Sequence, residues 1–190
     1  MSEPSLDAAY FAAIYARSDD PWGFATSPYE RGKYDATLAA LPMQHYGRAL
    51  EIGCSIGVLT ARLAQRCDEL VGIDLDPRAL ELARTRCAAL PNVRFERRTF
   101  PHETVSGPFD LIVISEVAYY WSDTDLAIAR ERIVASAPGG TVELVHFTPP
   151  VRDYARTGDL VHETFLGDPR FEHRSGSRAE RYRIDLLRVR

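Results

Sequence analysis

Leu50-Glu51-Ile52-Gly53-Cys54-Ser55-Ile56-Gly57 is an apolar run that breaks into a glycine-punctuated turn, and its reading decides the fold. Arg48–Ile52 has the length and composition of a short buried strand, and beyond the turn Leu59, Leu63 and Ala64 recur at helical spacing. Glycines at 53 and 57 let the backbone turn sharply and come close to a ligand lying over the strand end. The alternation continues downstream. Leu70–Ile73 reads as a second buried strand closed by Asp74. Asp76-Pro77 opens a helix as cap and first residue, with Leu80, Ala83, Ala88 and Leu90 on its apolar face. Val93–Phe95 is a short third strand, and Phe109–Ser115 is the nearly continuous apolar run expected of a central strand covered on both faces. Asp123–Ala137 puts Leu126, Ile133, Val134 and Ala137 on one stripe, Pro138-Gly139-Gly140 ends that helix, and Thr141–Phe147 is a fifth strand.

Alternation on this scale predicts an α/β fold, a doubly wound, mostly parallel sheet wrapped by helices on both faces. The tail breaks the pattern. Phe171–Arg174 and Tyr182–Val189 are strand-like around a Ser-Gly-Ser turn, so a C-terminal antiparallel hairpin completes seven strands at one sheet edge. Leu6–Ala16 and Tyr29–Leu41 read as N-terminal covering helices split by the turn-rich Ser18–Pro28. With no repeat, low-complexity tract or long linker, one domain is expected over residues 1–190, with cap helices in 1–45 and the α/β core in 46–190.

The 190 residues carry 23 Lys+Arg against 27 Asp+Glu, a net charge of −4 that argues against gripping nucleic-acid backbone over a broad surface. All the basic residues but Lys33 are arginine, which reads as a trace of a GC-rich genome. No apolar run is long enough for a membrane span, and the polar Met1–Asp7 has no secretory signal pattern. Cys54, Cys67 and Cys87 lack close pairing, which fits a reducing, cytoplasmic setting. His45, His102, His146, His162 and His173 show no ligand-like spacing, so no metal is expected.

Asp74 closes the second strand, where an acid can chelate two ribose hydroxyls. A dinucleotide fingerprint would want glycine at 53, 55 and 58, but Ser55 and Val58 stand there, so a nicotinamide-dependent oxidoreductase is disfavoured. Glu51, two residues before Gly53, can attract a cationic ligand group or order water beside it. A ligand with a ribose and a positive centre suits two carboxylates better than a diphosphate does, and S-adenosylmethionine is such a ligand. Each acid taken alone reads equally as a solvated strand-end group.

Over nearly its whole length the chain resembles the class I S-adenosylmethionine-dependent methyltransferases, and more narrowly the NodS family of nodulation N-methyltransferases. The likeness lies in Asp19-Asp20-Pro21-Trp22, Pro28-Tyr29-Glu30-Arg31, Ala49-Leu50-Glu51 with Gly53-Cys54, and Ile73-Asp74. It continues in Phe109–Val113, Glu116-Val117, Tyr119-Tyr120 and Ala137–Gly140. The resemblance implies methyl transfer to a small molecule, with an amine, including that of an amino sugar, ahead of a hydroxyl. A binding module that has lost the chemistry is the remaining alternative. The resemblance implies cofactor contacts from Trp22, Glu51, Gly53, Gly57, Asp74 and Leu75, and from Ser115 and Val117 after the fourth strand. Arg31 would meet the cofactor carboxylate with its fork. Thr99 stands where relatives place an acid for the adenine amine, so adenine would rely on the Thr99 and Phe100 main chain and the Phe100 ring. Trp22 covers the cofactor or pins the N-terminal helices.

Glu116 is the best-placed acid for an incoming acceptor, at the mouth where open α/β sheets bind ligands. Tyr119 and Tyr120 would wall the acceptor pocket, and His146, at the end of the fifth strand, is the second candidate base beside its reading as a hydrogen-bonded structural group. Arg174, Arg178, Arg181 and Arg183 make the last hairpin locally positive, read as a solvated edge. Neither a nucleic-acid nor a membrane partner is expected.

Overall fold

The computed structural model describes residues 4–190, so Met1–Glu3 of the polar N-terminal stretch lie outside the described residues. One seven-stranded sheet runs in the order β3-β2-β1-β4-β5-β7-β6. Its strands are β1 (Tyr46–Ile52), β2 (Cys67–Asp74), β3 (Val93–Arg97), β4 (Leu111–Ser115), β5 (Thr141–Phe147), β6 (Phe171–Arg178) and β7 (Tyr182–Val189). The first five pair in parallel, and β7 inserts antiparallel between β5 and β6. The helices are α1 (Ala8–Tyr15), α2 (Pro28–Ala40), α3 (Val58–Leu63), α4 (Pro77–Arg86), α5 (Asp123–Ser136) and α6 (Gly158–Leu166). No described helix is long and apolar enough to cross a membrane.

Strand alternation divides the core in two. Ile52, Ile73, Ile112, Ile114, Val142 and Leu187 face α5 and α6 through Leu126, Ile133, Val161 and Phe165. Ala49, Leu70, Leu111, Val113 and Leu186 face Tyr34 of α2 and Leu59 and Leu63 of α3. The central β4 is buried on both faces, as its unbroken apolar run requires.

Three expectations change. The helix after Asp76 stops at Arg86, leaving Ala88 exposed in the following turn; its buried face is Ala79, Leu80 and Ala83, and Pro91 blocks continuation. Ser175-Gly176-Ser177 is not the hairpin turn but part of β6, next to a bulge between His173 and Ser175. Glycine is needed there because a Cβ at 176 would sit 2.3 Å from Asp185 Oδ1. Finally, α6 lies in the stretch 151–168, where sequence reading placed no element.

Candidate active site

The sheet reverses its winding between β1 and β4, and the crevice beyond their carboxyl ends is where ligands bind open α/β sheets. A cavity of about 320 Å³ opens there, within the size range of small-molecule sites. Gly53 forms part of its floor. Its φ of +78° and the 2.8 Å that would separate an added Cβ from Val117 Cβ exclude any side chain. Ser55 (φ +49°) and Glu116 (φ +58°) also hold left-handed backbone without being glycine, strain of the kind that concentrates at functional sites.

Asp74 lines this cavity, where its Oδ2 accepts from Ser55 N–H at 2.9 Å and its Oδ1 from Asp76 N–H at 2.9 Å. Burial pushes its pKa up to about 6 against the opposing pull of those two donors. Leu75, Phe100, Ser115, Val117 and Trp22 join Asp74 and Gly53 around the same space. Trp22 stacks on Phe24 with centroids 5.4 Å apart and meets Tyr15 edge-on at 5.6 Å, so it both covers the cavity and ties down the N-terminal segment. Tyr15 in turn shares a 2.6 Å hydrogen bond with Ser55 Oγ.

At the other end stands Glu116. Lys33 Nζ donates to its Oε1 at 2.6 Å, while Tyr119 Oη–H (2.6 Å) and Phe147 N–H (3.1 Å) donate to Oε2. Lys33 is only 2% exposed and also pairs with Glu30 at 2.9 Å. Burial alone would lower the Lys33 pKa, but Glu116 and Glu30 outweigh it and hold the ammonium above its ordinary range. Tyr120, Tyr154 and Arg181 complete this end, with Tyr120 Oη 3.3 Å from Tyr154 Oη.

Five expected site residues stand elsewhere. Arg31 is exposed on α2 and does not line the cavity; Glu30 and Lys33, on the inward side of that helix, do. Thr99 is exposed, and its N–H is taken by Glu103 at 2.8 Å, while neighbouring Arg98 and Phe100 line the cavity. Gly57 caps α3 and serves packing, since a Cβ there would lie 3.0 Å from Ala83 of α4. Glu51 is turned beneath the glycine turn, 2% exposed, and receives Thr60 Oγ1–H at 2.5 Å. It borders a separate void of about 20 Å³, and burial raises its pKa to about 8.

His146 is fully buried behind Tyr119 and has no face on the cavity. Its Nε2 accepts from Ala118 N–H at 3.3 Å, which leaves Nδ1–H to donate to His162 Nε2 at 3.1 Å. His162 Nδ1–H then donates to Asp185 Oδ2 at 2.6 Å, and Asp185 Oδ1 meets His173 Nε2 at 2.8 Å. Burial and the neighbouring His162 and Lys33 hold the His146 pKa well below the usual imidazole value, so it is a neutral structural link rather than a base. Spacing does not reveal this chain of histidines, because α6, β5, β6 and β7 bring its members together from distant positions. Among the described residues, no cluster of His, Cys, Asp and Glu is arranged to hold a metal ion.

A family model described as nodulation protein S (NodS) matches residues 15–141. Nodulation protein S of Rhizobium tropici is 32% identical over 126 residues, 65% of this chain and 53% of that protein. The chain thus spans about half the length of the first curated relatives it matches. A putative methyltransferase from Pseudomonas syringae, solved by crystallography, is 35% identical, with a TM-score of 0.75 over 84% of this chain and 98% of that one. The crystal structure of N-methyltransferase NodS from Bradyrhizobium japonicum WM9, in complex with S-adenosyl-L-homocysteine, is 24% identical with a TM-score of 0.85, covering 96% and 97% of the two chains. At that identity the likeness speaks for the fold.

Proposed function

The chain belongs to the NodS family, and from that membership we propose that it is an S-adenosylmethionine-dependent methyltransferase acting on an amine of a small molecule, an amino sugar being the class nearest the family. The observation that carries this reading is the Asp74 carboxylate at the end of β2, facing the same cavity as the bare backbone of Gly53 and, opposite, Glu116. The residues present suit the cofactor. Asp74 offers acceptor positions to ribose hydroxyls beyond the two taken by backbone N–H groups. Leu75 and Phe100 supply apolar walls for a nucleobase, and Trp22 covers the opening.

When bound, S-adenosylmethionine supplies an already activated methyl group. The chain therefore has to position the acceptor and exclude water, a contribution of about 7–11 kcal/mol in well-aligned reactions. Three donors on Glu116 fix its carboxylate and leave room for about one more. An acceptor N–H given to that site would be oriented within the cavity. With its strongest acceptor positions engaged by Lys33 and Tyr119, Glu116 serves orientation ahead of proton removal. Tyr119, Tyr120 and Tyr154 pack ring against ring, at centroid distances of 4.6–4.8 Å, as a wall against solvent. Calorimetric titration with S-adenosylhomocysteine should give one saturable site and titration with NADH none; absence of binding by the former ends the proposal.

A further inference from the structure

Among the described residues, one cation at the acceptor end, Arg181, has no protein counter-charge. The terminal hairpin carries Arg174, Arg178, Arg181, Arg183 and Arg188, the last exposed near the end of β7 and not lining the cavity. Arg174 pairs with Glu172 at 2.7 Å, Arg178 with Asp159 at 2.5 Å, and Arg183 with Glu163 and Asp185, both at 2.6 Å. Among the described residues Arg181 has no ion pair, and it is the hairpin arginine that lines the cavity. Its guanidinium lies 5.1 Å from the ring centroids of both Tyr29 and Phe147. Thr148 N–H donates to its carbonyl at 3.0 Å, which anchors the backbone as well.

Arg181 is an exposed residue, but its two aromatic neighbours restrict a long side chain, so less freedom is lost when its fork meets a ligand. They also lend Arg181 ring faces that a neutral sugar would otherwise stack on. Phe147 links Glu116 to Arg181 within the acceptor end, because its N–H holds Glu116 at 3.1 Å and its ring flanks Arg181. A fixed carboxylate and an unpaired guanidinium therefore both contact Phe147. Lys33 adds no free charge, since Glu30 and Glu116 share it.

We infer that the acceptor is an amine that also bears an oxyanion, with its nitrogen at Glu116 and its anionic group on the Arg181 fork. The inference rests on reading the cavity as a methyltransferase site. It is tested by calorimetric titration of the full chain, loaded with S-adenosylhomocysteine, with glucosamine and glucosamine 6-phosphate, which differ only in the anion. The phosphorylated probe should bind at least tenfold more tightly. Arg181→Gln should remove most of that difference, Arg181→Lys should restore part of it, and cofactor affinity should stay unchanged in both. Arg174→Gln, outside the cavity, should leave the difference intact. Equal affinity for the two probes, no binding of either, a difference that survives Arg181→Gln, or an equal loss from Arg174→Gln would each overturn the inference. Failure to bind S-adenosylhomocysteine strikes instead at the methyltransferase reading beneath it.

Discussion

Asp74 receives two backbone hydrogen bonds before any ligand arrives, and its pKa near 6 places its titration just below neutrality. The ionised carboxylate is the form that accepts from ribose hydroxyls, so affinity for S-adenosylhomocysteine should fall as pH drops through about 6. Asp74→Ala should weaken binding by about 1–3 kcal/mol at pH 8, the scale of hydrogen bonds to a charged group. Calorimetry at pH 5 and 8 checks both, and a pH-independent wild-type affinity would contradict the ribose role. This acid was legible because a strand end fixes where its side chain points. Lys33 was not, because nothing in a helical pattern says which polar residue turns inward; being the chain's one lysine was read as base composition. Removing it as Lys33→Gln leaves the buried Glu30 and the partly buried Glu116 without their shared cation, and should cost about 3–5 kcal/mol in urea unfolding. The double variant Lys33→Gln/Glu116→Gln should recover at least about 1 kcal/mol of that loss, because neighbouring sites that share one network are not additive.

The parallel strands were readable as elements because each is a short apolar run ending in a turn signal, and the order of alternation leaves few topologies. The hairpin turn and α6 were not. Ser175-Gly176-Ser177 has turn composition for a different reason, the side chain of Asp185 lying over the glycine, and no local pattern reveals a cross-strand neighbour. In α6 the residue that explains its placement is polar: His162, fully buried, connects His146 of β5 to Asp185 of β7. His162→Phe would leave His146 Nδ1–H without a partner in the interior, while Asp185 Oδ2 keeps Arg183 Nε at 2.6 Å. An unmet buried group costs about 1–3 kcal/mol, so a loss of about 1–3 kcal/mol is expected in urea unfolding. Because the linked rings stand behind Tyr119, S-adenosylhomocysteine affinity should change less than threefold. A large loss of cofactor binding with stability intact would move the histidines into the site.

Across the whole sheet, register places Glu51 opposite Val113 and Val113 opposite Glu143, so two carboxyls occupy one level of the same buried face. Burial raises both, Glu51 to about 8 and Glu143 well above the ordinary carboxylate range. Thr60 donates to Glu51, whereas neither oxygen of Glu143 has a hydrogen-bond partner among the described residues. An acid whose pKa is raised on folding contributes stability that is complete below its unfolded value near 4.5 and is lost as pH climbs through its folded value. The stability contributed by these two acids should therefore decline between about pH 4.5 and 8, opposed by His146 and His162, whose lowered pKa values favour the folded state as pH rises. Glu143→Met keeps the volume and removes the unpartnered oxygens, and should raise the unfolding free energy by about 1–2 kcal/mol at pH 8, or roughly 3–6 °C for a chain of this size. Glu51 is present in both proteins and cancels from the comparison. The gain from Glu143→Met should thus be at least about 1 kcal/mol smaller at pH 5, where the unfolded chain is itself closer to being protonated. Urea midpoints at the two pH values measure that difference, and an equal gain at both would mean that the Glu143 carboxyl reaches water in the folded protein.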